Sequence, residues 1–161
     1  MELIFRELGG LPDLATFARF LIRMLAALAL GALIGYQRER SGKAAGLRTH
    51  MLVAMGTALF IVAALESGME DDAMSRVIQG LVTGIGFLGA GSILKIHEDK
   101  EIHGLTTAAG IWMTAAASVA IGLGQILTGM LAGVLAWVVL AVMSRFERRA
   151  LKGLVKTDAS R

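Results

Sequence analysis

"GLTTAAGIWMTAAASVAIGLGQILTGMLAGVLAWVVLAVMS", residues 104–144, contains no Asp, Glu, Lys or Arg in 41 consecutive positions. Because the hydrocarbon core of a bilayer is about 30 Å thick, one helix of about 20 mostly apolar residues crosses it. The run is therefore long enough for two crossings. The glycines of "IGLGQI", residues 121–126, predict the turn between them.

Three further apolar segments precede this pair. Residues 49–65 and 77–94 carry no Asp, Glu, Lys or Arg, and residues 17–36 carry only Arg19 and Arg23. In lipid, backbone polar groups are satisfied only in helices or closed barrels, and these runs lack the alternation of barrel strands. The sequence predicts an all-α, polytopic membrane protein with one transmembrane domain, residues 1–161. The five helices are expected at about 17–36, 49–66, 76–94, 104–121 and 124–144, followed by a basic tail at 145–161.

The distribution of Lys and Arg predicts the orientation, because short cytoplasmic loops are enriched in these residues. With the carboxyl terminus in the cytoplasm, twelve of the sixteen basic residues lie on the cytoplasmic side and four lie outside. The positive charge of the chain is then a topological signal, and no nucleic-acid partner is expected. The predicted arrangement has the amino terminus outside and the carboxyl terminus inside.

Glycines spaced four apart predict close helix packing, since small residues let helix backbones approach each other in lipid. Such pairs occur in the first, third and fifth predicted helices, and the third carries small residues on two faces. We therefore expect the third helix at the centre of a glycine-rich bundle, although a locally unwound helix lining a cavity is an alternative. The predicted packing glycines are Gly31, Gly35, Gly80, Gly84, Gly86, Gly89, Gly91, Gly129 and Gly133.

Polar and basic residues converge at the cytoplasmic ends of the first four predicted helices. Two of these ends are helix amino termini, whose free N–H groups and positive dipoles favour anions. The sequence predicts an anion or partner contact there, and the alternative is that the threonines cap helices while the arginines fix topology. Glu39 balances the neighbouring arginines or serves as a proton or cation contact. The candidate residues are Arg38, Glu39, Arg40, Arg48, Thr49, His50, Thr106 and Thr107.

Charged residues near the non-cytoplasmic ends of the predicted helices leave two further questions open. Arg23 lies one turn beyond Arg19, and it either extends towards the interface or forms an ion pair with Glu66 inside the bundle. Carboxylates near the second and third helices offer the oxygen ligands that Mg²⁺ prefers, but they also fit an ordinary solvated loop. These weak metal candidates are Glu66, Glu70, Asp71 and Asp72.

Enzyme motifs are missing from the sequence. It contains no cysteine, no Walker loop, no HExxH and no serine elbow, and "GIGFLGAG" does not follow a predicted strand. We therefore predict that the protein is not an enzyme and uses no cofactor.

Three segments in order resemble the membrane domain of the MgtC/SapB family: "GALIGYQRERSGKAAGLRTHMLVAMGTALF", "RVIQGLVTGIGFLGAGSILK" and "GLTTAAGIWMTAAASVAIGLG". The resemblance implies five helices in a bacterial inner membrane with the amino terminus outside. It also implies a connection with adaptation to low magnesium and, in some pathogens, with virulence. Similar proteins often carry a soluble carboxyl-terminal domain, so this chain is expected to be a short form.

Two classes of function remain for such a protein. The first is a regulator or adaptor of another membrane protein in magnesium and phosphate homeostasis, and the second is a small oligomeric transporter or channel for Mg²⁺ or another ion. An ion pathway usually shows acidic residues inside the membrane, and the predicted spans carry none between their ends. The sequence therefore favours the regulator, with the lipid bilayer and either a second copy or another membrane protein as partners.

Overall fold

The computed structural model describes residues 13–95 and 102–158, which form five helices and one short strand pair. The helices are α1 (Leu14–Arg40), α2 (Leu47–Glu66), α3 (Asp71–Gly91), α4 (Leu105–Gly122) and α5 (Ile126–Asp158). An antiparallel pair, β1 (Leu94–Lys95) and β2 (Ile102–His103), connects α3 to α4. Each helix has a segment long and apolar enough to cross a membrane, which confirms the predicted five-helix membrane fold. Most of the predicted basic tail continues α5 as a helix, to Asp158, and residues 159–161 lie outside the described part of the chain.

The centre of the bundle is α4, which packs against each of the other four helices. Half of its membrane-spanning residues are buried, compared with 17% in α3. Its sequence is rich in Ala, Gly, Ser and Thr, and these small side chains let neighbouring backbones come close. At Gly122, an added Cβ would lie 2.7 Å from Cβ of Ile61 on α2. From the sequence, this glycine was expected in the turn after α4 rather than in a helix contact.

Glycines of α1 and α5 lie in tight helix contacts. A Cβ added to Gly31 would lie 2.6 Å from Cα of Met51, and one added to Gly35 would lie 2.8 Å from Cα of Leu47. On α5, a Cβ at Gly129 would lie 2.6 Å from the carbonyl oxygen of Ala117, and one at Gly133 would collide with Leu30. Backbone atoms cannot move aside as a flexible side chain can, so α1 and α2 need glycine at their contact.

The expectation that the third helix lies at the centre is wrong. In the described part of the chain, α3 packs mainly along α4 and, less closely, along α2. Cβ atoms added at Gly80, Gly84, Gly86 and Gly91 would meet no atom of the described chain within 4 Å, while Gly89 reaches only an ordinary contact with Ala108. A stripe of glycines predicts a smooth surface, but it does not predict whether the same chain covers that surface.

Glycines with positive φ turn the chain on either side of α4. Gly104 has φ +97°, and a Cβ there would collide with the carbonyl oxygen of Ser92. Gly124 has φ +89° and lies beneath the guanidinium of Arg23. Side chains other than glycine rarely adopt these conformations, so glycine sets both ends of the central helix.

Two ends of the bundle follow from the antiparallel packing of α1 and α2. The last turn of α1 and the first turn of α2 lie together at what we call the Arg38 end. The first turns of α1 and the last turn of α2 lie together at what we call the Glu66 end. At the Glu66 end, Arg23 donates from Nη1 to the carbonyl oxygen of Gly122 at 3.0 Å. Arg23 therefore stabilises the carboxyl end of α4, and it does not form the ion pair with Glu66 that was one of the two alternatives.

Candidate functional site

A buried arginine occupies the last turn of α1. Arg38 is only 2% exposed, and its Nη2 donates to Oγ1 of Thr107, in the first turn of α4, at 2.8 Å. It forms no ion pair with any residue that the structure describes. The carbonyl groups at the end of α1 offset part of its charge, because the carboxyl end of a helix carries a partial negative charge. Arg38 thus brings a full positive charge into the helix interface with a single hydroxyl as its side-chain partner.

A buried histidine contacts the same face of α4. Nδ1 of His50 lies 2.9 Å from Oγ1 of Thr114, and both side chains are fully buried. The Thr114 hydroxyl donates its one proton to the carbonyl oxygen of Gly110 at 2.8 Å. The direction of the His50–Thr114 bond depends on which ring nitrogen carries the proton, and the Thr114 hydroxyl accepts from Nδ1 when that nitrogen is protonated. Gly110 makes room for the ring, since a Cβ there would lie 3.6 Å from Cε1 of His50.

Together these contacts form a polar ladder along α4. Its rungs are Thr107, Gly110, Thr114 and Ser118, spaced three to four residues apart and hence on one helix face. The Ser118 hydroxyl donates to the carbonyl oxygen of Thr114 at 2.8 Å. The ladder contacts α1 through the Arg38–Thr107 bond and α2 through the His50–Thr114 bond.

Three buried polar atoms have no hydrogen-bond partner among the described residues: Nε of Arg38, Nε2 of His50, and Oε1 of Gln37, whose Nε2 donates to the carbonyl oxygen of Leu140 on α5. Buried polar groups in folded proteins are normally paired, and an unpaired one costs stability. Nε of Arg38 is a donor, whereas Nε2 of His50 donates or accepts according to which ring nitrogen carries the proton. Buried Arg38 therefore keeps an N–H donor without a partner in the described part of the chain.

The predicted site residues separate into two groups. Arg38, His50 and Thr107 are buried in the ladder, whereas the rest lie on the surface at the Arg38 end. Arg40 places its guanidinium 5.5 Å from the centre of the Tyr36 ring, a cation–π contact. The other surface members are Glu39, Arg48, Thr49 and Thr106.

Glu39 has a structural role that the sequence did not indicate. Its Oε2 accepts a hydrogen bond from the backbone N–H of Leu47 at 2.8 Å, across the turn between α1 and α2. The helix begins after Gly46, which has no side chain to cap it, so Glu39 supplies the cap from a distance. The threonines are not caps, because Gly46 and Gly104 hold the positions before α2 and α4.

Thr114 and Ser118 belong to the ladder but were not predicted as site residues. The available signal was the spacing of Thr107, Gly110, Thr114 and Ser118, which places small polar residues on one helix face inside a charge-free span. That pattern is weak, because hydroxyl groups also bond back to their own helix.

The acidic residues of the Glu66 end do not form a metal site in the described part of the chain. No group of three or more His, Cys, Asp or Glu side chains there could hold an ion. Glu66, Glu70, Asp71 and Asp72 are all exposed.

Comparison with known proteins places this architecture in a family. The sequence model of the MgtC family matches residues 24–149, which include most of α1, all of α2 to α4 and the ladder. The chain belongs to the MgtC family. It is a multi-pass bacterial membrane protein, in agreement with its five spanning helices.

Several curated relatives are identical to this chain at about two fifths of the aligned positions. Protein SrpB of Synechococcus elongatus is 40% identical, over 80% of this chain and 76% of its own length. The putative magnesium transporter YhiD of Escherichia coli is 43% identical, over 83% of this chain and 65% of its own length. Protein MgtC of Salmonella typhimurium is 44% identical, over 66% of this chain and 44% of its own length. The match thus covers less than two thirds of YhiD and less than half of MgtC, and no solved structure matches the chain.

Proposed function

We propose that this protein is a bacterial inner-membrane regulator or adaptor in magnesium and phosphate homeostasis, which acts by contacting another membrane protein. A connection with magnesium is supported by the name of the relative YhiD, a putative magnesium transporter. The positive-inside rule supports an orientation in which the Arg38 end faces the cytoplasm.

The buried titratable side chains favour a regulator over a transporter. Among the side chains that the structure describes, Arg38 and His50 are the buried titratable ones, and no carboxylate is buried with them. A Mg²⁺ path through one chain needs oxygen ligands, usually carboxylates, and a fixed positive charge repels the ion. The interior of this bundle is therefore suited to holding helices in place rather than to passing divalent cations.

The surface of α3 supports contact with another protein. The four open glycines, Gly80, Gly84, Gly86 and Gly91, give it a smooth exterior that an additional helix can approach closely. The same surface is the observation that favours the alternative, a small oligomeric channel or transporter whose pathway lies between copies.

Reconstitution separates the two functions. Purified protein in liposomes should give Mg²⁺ and phosphate fluxes equal to those of empty vesicles, while the same gene restores growth of a deletion strain in low magnesium. A protein-dependent Mg²⁺ flux, removed by Gly84→Leu but not by the control Gly56→Leu on α2, where an added Cβ also meets open space, would establish the channel or transporter instead.

On the cytoplasmic side, the surface residues of the Arg38 end are proposed to make the contact. Arg40, Lys43 and Arg48 are exposed around the turn between α1 and α2. Guanidinium groups bind phosphate and carboxylate oxygens in pairs, so an acidic partner segment or a phosphate-bearing ligand fits this surface. Thr49 lies at the edge of an adjoining cleft of about 370 Å³ that also exposes Phe87 of α3.

A further inference from the structure

A cleft of about 660 Å³ opens between α1 and α2 at the Glu66 end. Three charged side chains line it together with three apolar ones. They are Arg19, Arg23, Glu66, Phe20, Val62 and Leu65. The volume lies within the range of small-molecule sites, about 300–1,000 Å³.

The charged groups of the cleft do not neutralise one another. Arg19 donates from Nη2 to Oγ1 of Thr16, its own neighbour on α1, and Arg23 donates to the carbonyl oxygen of Gly122. Glu66 forms no hydrogen bond or ion pair with the described residues. Each guanidinium carries five N–H donors, so most of them stay free. Opposite charges therefore face one cleft without pairing across it.

The cleft lies at one end of two helices long and apolar enough to cross a membrane, the level at which lipid headgroups are found. Arg19 lies five residues into α1, or about 8 Å along the helix, which is close to the polar boundary of a bilayer. Arg23 lies one turn deeper, where Phe20 and Val62 add apolar walls. A molecule held here has polar groups near the aqueous end and apolar groups towards the membrane interior.

We propose that this cleft binds the headgroup of a phospholipid with both a phosphate and a primary ammonium group, of the phosphatidylethanolamine type. The phosphate oxygens lie against Arg19, with Arg23 beneath them, and guanidinium groups bind phosphate strongly. The ammonium group donates to the Glu66 carboxylate. The apolar wall of Phe20, Val62 and Leu65 receives the start of the acyl chains. This site is independent of the proposed contact at the Arg38 end.

Lipid specificity tests the proposal directly. Delipidated protein in detergent is titrated with phosphatidylethanolamine, phosphatidylglycerol, phosphatidylcholine and soluble glycerophosphoethanolamine, and binding is followed by native mass spectrometry. The ethanolamine lipid should bind about tenfold more tightly than the glycerol lipid, the ratio given by 1.4 kcal/mol. Equal binding of both lipids would overturn the Glu66–ammonium contact. Equal binding of soluble glycerophosphoethanolamine would show a site for free phosphoryl amines rather than lipid.

Paired substitutions locate the site. Glu66→Gln and Arg19→Gln should each weaken binding of the ethanolamine lipid about tenfold, and Arg19→Lys should restore part of it. Glu70→Gln and Arg76→Gln make the same charge changes on exposed residues at the same end but outside the cleft, and they should bind as the parent does. All four residues are exposed, so the variants should keep the melting temperature of the lipid-free parent. Equal effects of the cleft and control variants would show general surface charge and overturn the proposal.

Discussion

Arg38 and Thr107, 69 positions apart in the sequence, join the end of α1 to the start of α4 by one buried hydrogen bond of 2.8 Å. The bond crosses the interface where the predicted cytoplasmic contact was expected, but both side chains are covered by protein. The buried bond therefore fixes the register of α1 and α4 rather than contacting a partner at the surface. The surface around it remains available to a partner.

Replacing Thr107 by Val should destabilise the fold. The change keeps the shape of the side chain but leaves Nη2 of buried Arg38 without its partner, at a cost of about 1–3 kcal/mol. Thermal unfolding in detergent measures the loss. Thr106→Val is the matched control, because Thr106 is the exposed neighbour and should tolerate the change. Equal melting temperatures for both variants would contradict a structural role for the Arg38–Thr107 bond.

His50 and Thr114 should be energetically coupled. Thr114→Val leaves Nδ1 of His50 unpaired, and His50→Leu removes the other partner, so the double variant should lose less than the sum of the single ones. Contacting residues show coupling energies of about 0.5–3 kcal/mol. Thermal unfolding of the parent, the two single variants and the double variant gives the coupling energy. The exposed Thr128→Val, combined with His50→Leu, should give strictly additive losses.

The glycines of α1 and α3 should respond in opposite ways to alanine. Gly31→Ala forces the α1 and α2 backbones apart, because the new Cβ would lie 2.6 Å from Cα of Met51, and overpacking costs about 1–3 kcal/mol. Gly84→Ala meets open space and should keep or raise stability, since alanine is the better helix former by about 1 kcal/mol. Melting temperatures in detergent report both. A marked loss for Gly84→Ala would mean that another chain covers α3 in the purified protein.

Helix number was predictable from the sequence because apolar run length is a direct consequence of bilayer thickness. The identity of the central helix was not predictable from the sequence. The glycines of α3 and the small residues of α4 both indicate smooth surfaces, and only the packing of the folded chain decides which surface is covered. Arg38 shows a similar limit. In the sequence it stands between Gln37 and Glu39 beside a basic loop, a setting that favours solvent exposure, whereas its helix phase turns it towards Thr107.

The orientation of the bundle can be read by thiol labelling, since the sequence contains no cysteine. With the Arg38 end in the cytoplasm, a cysteine at Lys43 should resist an impermeant reagent in intact cells and react after lysis. A cysteine at Asp71 should react in both. Both positions are exposed, so access through the membrane decides the result. Labelling of Lys43→Cys in intact cells would reverse the proposed topology.

Arg48 tests the proposed contact at the Arg38 end without disturbing the fold. Its side chain is exposed in the first turn of α2, and the structure gives it no hydrogen bond to the described residues. Arg48→Gln should therefore keep melting temperature and membrane abundance but abolish growth in low magnesium, because it removes a paired donor for an anionic group. Arg48→Lys should restore only part of the growth, since lysine keeps the charge but loses the planar fork. Lys43→Gln controls for the loss of one positive charge in the same loop and should cause the smaller defect. Full growth of Arg48→Gln would leave Arg48 as a topological signal alone.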